Sequence, residues 1–133
     1  MSIQSKSALQ AGLIETTANA DEDHYLVMPH AGEWQIDAAY FTPNATVGGH
    51  VSNTVTLSVK QGATAVCTAI LIDDGTAGTD GVTAGTKLTF TIAAAGASLV
   101  FGQGDILHVK ATKAASGIKC VGDMTVGFKQ VVS

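Results

Sequence analysis

A two-residue period that recurs from about His24 onward constrains this chain more than any other feature. In residues 33–41, EWQIDAAYF, the side chains of Trp34, Ile36, Ala38 and Tyr40 fall on one side and Glu33, Gln35 and Asp37 on the other. A strand sends successive side chains to opposite faces, so this pattern predicts a half-buried strand with Trp34 and Tyr40 in the core. Residues 53–60 repeat the alternation with Val55, Leu57 and Val59 inward. Leu107, Val109 and Ala111 do so with His108 and Lys110 outward, and Met124, Val126 and Phe128 do so against Thr125, Gly127 and Lys129. Shorter strands are expected at residues 24–28, closed by Pro29, at 88–92 and at 99–101. Residues 65–72 are apolar in both phases, which predicts a strand covered on both faces. Turn signals separate these runs: Pro43-Asn44, Gly48-Gly49, Gln61-Gly62, a Gly/Thr/Asp-rich loop over 73–85, a second loop from Ala93 to Ser98, and Gly102 to Asp105. About eight strands at such spacing predict an all-β, single-domain β-sandwich, jelly-roll-like in style. Ser7 to Ile14 is the only helix-like competitor and is too short to change the class.

At 133 residues the chain has room for one core and not two. Residues 1–23 are polar and turn-rich, with a weak apolar cluster, and read as an N-terminal arm ahead of a sandwich domain over 24–133. The apolar side chains of that arm, Ile3, Leu9, Leu13 and Ile14, are the expected partner-binding residues, ordering against a neighbour.

Charge narrows the choice of partner. Only 14% of residues are charged while 46% are hydrophobic, against a usual charged share of about 25%. That balance excludes a disordered chain and leaves surface suited to copies of the same protein or to another protein. With a net charge of −4, a pI near 5.3 and scattered lysines, nucleic acid is not the expected partner. No apolar run reaches the roughly 18–20 residues of a membrane-spanning helix. The first residues lack a signal-peptide pattern, so synthesis in a cytoplasm is expected. Cys67 and Cys120 lie in expected strands; they could pair if register allowed, but a cytoplasmic protein keeps its thiols reduced.

Candidate chemistry is thin. His24, His30, His50 and His108 are spread over separate segments, with no close His-x-His pair, and no metal is expected. The loop Asp73-Asp74-Gly75-Thr76-Ala77-Gly78-Thr79-Asp80-Gly81 has three carboxylates, but not the ligand spacing or terminal Glu of a calcium loop. The acidic run Asp21-Glu22-Asp23 reads as a solvated segment. No serine sits in a Gly-x-Ser-x-Gly turn, and Gly102-Gln103-Gly104 is not followed by a helix that would cradle a phosphate. The expectation is no enzyme and no cofactor.

The strand-turn unit from Ile36 to Gly49, with Pro43-Asn44-Ala45 at its turn, leads into Asn53-Thr54-Val55-Thr56-Leu57-Ser58-Val59. Together with Gly104-Asp105-Ile106-Leu107-His108-Val109, the turn at Gly117 and the final run Met124 to Val132, it resembles the decoration, or cement, proteins of tailed-phage heads. The resemblance spans about Trp34 to Val132. It implies a virion protein on the outer capsid surface, made in the bacterial cytoplasm. Its partner would be the major capsid protein, whose neighbouring copies it bridges and stabilises, and the decoration protein itself would be a homo-oligomer, preferably a trimer. Two other readings stay open: a head-fibre or receptor-binding knob that recognises a host glycan, and a tail-tube protein that forms rings.

Overall fold

The computed structural model describes residues 5–93 and 99–131. Among these there is no α-helix, and the strands form two sheets packed face to face, the β-sandwich expected from the alternation. The described residues hold eleven strands: β1 (Lys6–Leu13), β2 (Glu22–Val27), β3 (Glu33–Pro43), β4 (Thr54–Gln61), β5 (Thr64–Ala65), β6 (Ile70–Asp73), β7 (Thr79–Asp80), β8 (Leu88–Thr89), β9 (Val100–Gly102), β10 (Ile106–Ala114) and β11 (Gly122–Gln130). The first sheet runs β1-β11-β3, with β8 and β9 both on the far side of β3. The second runs β2-β10-β4-β6-β7, with β5 also on β4. The long strands β1, β3 and β11 thus belong to the first sheet and β2, β4 and β10 to the second, so both halves of the core depend on distant parts of the sequence.

The core lies between the inner faces. β11 contributes Met124, Val126 and Phe128, β10 contributes Leu107, Val109 and Ala111, and β4 contributes Val55, Leu57 and Val59, all buried and in the phase the sequence predicts. Phe101 stands edge-on to Phe128 at 5.1 Å between ring centres, a favourable aromatic geometry.

Three expectations need correction. The first is the phase of β3. Phe128 pairs with Ile36 but Gly127 pairs with Ala38, so Asp37 is an extra residue, a β-bulge. Trp34 and Ile36 point inward before it; Ala39, Phe41 and Pro43 point inward after it. Tyr40 is therefore half-exposed on the outer face, with the Lys87 ammonium 5.0 Å above its ring. The second is the run 65–72, which is broken into β5 and β6 with an isolated bridge from Cys67 to Ile92 between them. The third is the arm. Residues 6–13 are β1, paired with β11 from Lys6↔Lys129 to Leu13↔Gly122. Ser7, Leu9, Ala11 and Leu13 form its inward side, and this apolar alternation is why the segment joins the sheet. The strand expected at 24–28 begins two residues earlier, at Glu22. Ile3 and most of the expected loop from Ala93 to Ser98 lie outside the described residues, as does the end of the final strand at Val132.

Candidate functional site

Of the residues expected to bind a partner, Leu13 is 1% exposed and belongs to the core, and Leu9 is half-buried against it. Neither is free to leave the sheet without opening the core. Ile14 is 72% exposed just past the end of β1.

In the acidic run expected to be solvated, Asp21 and Asp23 are exposed, and the three carboxylates also clasp the start of β2 to its surroundings. Asp21 accepts the Lys113 N–H at 2.7 Å. Glu22 accepts the N–H groups of Ile14 at 2.9 Å and Glu15 at 2.9 Å and meets His24 Nε2. Asp23 pairs with His108 Nε2 at 2.7 Å, and Lys110 Nζ lies 3.7 Å away. Burial pushes the Glu22 carboxyl up, but the Ile14 amide, His24 and the Glu15 amide outweigh it and hold it below the usual range. Asp23 is held low chiefly by its hydrogen bond to His108, against a smaller effect of burial.

The remaining histidines also have local tasks. His30 bonds Ser7 Oγ at 2.8 Å, and His50 Nδ1 accepts the N–H groups of Ser52 and Asn53. No three His, Cys, Asp or Glu side chains converge among the described residues. In the glycine-rich loop the Asp73 carboxylate accepts the N–H groups of Gly75, Ala77 and Gly78, so it organises the loop's own backbone. Cys67 and Cys120 are both buried free thiols, and burial pushes each up to about 11. An open cleft of about 470 Å³ is lined by Glu33, Val100, Gly102 and Asp105; the Asp105 carboxylate there accepts the Gly102 N–H at 2.8 Å.

Two surfaces remain as candidates for recognition. The outer face of the first sheet is built in rows set by strand register. Its central rows are Ala8, Gly127 and Ala38, then Gln10, Thr125, Tyr40 and Thr89, all uncharged. Most charges sit at the ends; the exception is Lys87, just before β8, whose ammonium lies 5.0 Å over the Tyr40 ring. Lys6 and Lys129 share Asp37 at 3.8 and 4.0 Å, and Asp123 lies beside Gly12 at the opposite end. A neutral centre with a charged rim is the usual anatomy of a protein–protein contact. Sequence reasoning missed this face because the Asp37 bulge hides Tyr40's true side.

The second surface is on the outer face of the second sheet. Tyr25, 64% exposed, lies flat on His108 with ring centres 4.3 Å apart and planes 16° from parallel. Tyr25 covers His108, which is only 9% exposed although its strand phase points outward.

No known protein family, curated protein or solved structure matches the chain.

Proposed function

We propose that the chain is a non-catalytic structural module that decorates the outer surface of a tailed-phage capsid and stabilises the head by bridging neighbouring major capsid proteins. The observation that carries the reading is the outer face of the first sheet, formed by β1, β11 and β3, whose central rows are built from uncharged strand residues. A clamp against internal pressure needs a rigid surface whose groups lose little solvation on docking, and uncharged side chains on three paired strands meet that need. Glu15, Asp21, Glu22, Asp23, Asp37, Asp73, Asp74 and Asp105 all have partners within the chain, so their acceptor oxygens are engaged before any docking. The resemblance to phage decoration proteins supports the identity of the partner, and its motifs fall on β3, β4, β10 and β11, four strands central to the two sheets.

The test is co-sedimentation with expanded, DNA-free phage heads. Saturable binding is expected, and Thr125→Glu, which puts a charge in the neutral centre, should weaken it at least tenfold while leaving the melting temperature unchanged. No binding by the wild-type chain, or equal binding by the variant, overturns the reading.

The exposed Tyr25 ring favours a second reading, a knob that stacks on a host glycan. Retention on a glycan array that is lost in Tyr25→Ala would replace the first reading with this one.

A further inference from the structure

We infer that the free edge of β1 pairs antiparallel with β1 of a second copy, about a two-fold axis through Leu9. The inference stands on the backbone of β1 and does not require the capsid reading. Gln130 donates its N–H to the Ser5 carbonyl at 2.8 Å, which fixes the ladder parity between β1 and β11. Residues 7, 9, 11 and 13 therefore bond toward β11. The N–H and C=O groups of Lys6, Ala8, Gln10 and Gly12 point the other way, where no strand of the described residues lies.

An open edge is a template for another strand, and folds ordinarily protect it with charge, proline, a bulge or brevity. The other edges of this molecule follow that rule. β7 and β8 are two residues long and β9 is three. β2 carries Glu22, Asp23 and His24 within six residues. β1 is eight residues long, regular against β11 throughout, and has one charge, Lys6, at its start.

The edge is also complementary to itself. Setting Ala8 opposite Gln10 of the second copy brings all four outward residues into register, Lys6 falling opposite Gly12, with about eight ladder bonds. Leu9 then meets Leu9 of the second copy on the inward side. Lys6 of the second copy passes over Gly12, where a Cβ would lie 3.7 Å from Ile14 Cγ2 and 3.9 Å from Asp123 Oδ1. Asp123 has no ion pair among the described residues, and Lys6 is 74% exposed and only loosely held by Asp37. The pairing thus matches opposite charges at both ends and opposes no like charges. It also joins the two outer faces edge to edge.

Sedimentation equilibrium of the full chain and two double variants tests this. Ala8 and Gln10 are exposed, so neither substitution disturbs the core. The wild type should reach twice the 13.5 kDa chain mass as concentration rises. Ala8→Lys/Gln10→Lys places lysine directly opposite lysine at two points and should remain monomeric. Ala8→Lys/Gln10→Glu carries the same first lysine opposite a glutamate and should dimerise again, which also shows that a lysine at position 8 does not unfold the strand. A wild type that stays monomeric or forms a trimer overturns the inference, as does a dimer in the lysine pair or a failure of the lysine–glutamate variant to recover. Capsid co-sedimentation is a separate measurement, so the two readings fail independently.

Discussion

Replacing Glu22 with alanine removes one carboxylate that accepts two backbone N–H groups, from Ile14 and Glu15, and meets His24. The Glu22 side chain is only 10% exposed, so water replaces it incompletely. A hydrogen bond to a charged group contributes about 1.5–3 kcal/mol, but Ile14 lies at the surface and its N–H regains solvent. The net loss should be about 2–3 kcal/mol, or roughly 6–9 °C in Tm for a chain of this size. Glu22→Gln, which keeps the shape and one acceptor, should lose about half as much. The pH dependence follows from the same contacts. Glu22 and Asp23 are both held below their unfolded values of 4.5 and 3.8. Their contribution is therefore complete above those values and is lost as pH falls through the lower folded ones. Thermal melts followed by circular dichroism between pH 7 and pH 2.5 should show the wild type losing more Tm on acidification than Glu22→Gln. A neutral-pH shift under about 1 °C for Glu22→Ala, or parallel pH profiles for wild type and Glu22→Gln, would refute the clasp.

Two further outcomes test the packing. A Cβ at Gly78 would lie 2.3 Å from the Leu71 carbonyl oxygen, whereas one at Gly48 meets nothing within 4 Å; Gly78→Ala should cost about 1–3 kcal/mol and Gly48→Ala should be near neutral in the same melts. Because burial holds both thiols near 11, Cys67 and Cys120 should react with a thiol reagent at pH 8 only after denaturation. Rapid modification of the native protein would contradict their placement.

The class of fold was legible because β4, β10 and β11 each carry three apolar residues at two-residue spacing with mostly polar or small neighbours: Val55, Leu57 and Val59, Leu107, Val109 and Ala111, and Met124, Val126 and Phe128. Where both phases are apolar, the period carries no information. Ala38-Ala39-Tyr40-Phe41 reads equally well in either phase, so only the bulge at Asp37 shows that Ala39 and Phe41 are the inward pair. The same ambiguity hid the break between β5 and β6. In β1 the inward set Ser7, Leu9, Ala11 and Leu13 was present in the sequence, but alanine and glycine have weak strand preference and masked it. The roles of Asp21, Glu22 and Asp23 could not be read locally. Their partners Ile14, Lys113 and His108 come near only once β1, β2 and β10 are in place. The candidate faces were hidden for the same reason, since each is made of rows that cross strands far apart in sequence.

Residue-resolved amide hydrogen exchange along β1, recorded at low and high protein concentration, tests most directly whether this segment is a sheet strand that pairs with a second copy. Ser7, Leu9, Ala11 and Leu13 should be protected at both concentrations, because their N–H groups bond to β11. Ala8, Gln10 and Gly12 should exchange fast when dilute and become protected when concentrated. Uniformly fast exchange from residue 6 to 13 would contradict the strand, and alternating protection that ignores concentration would contradict the pairing.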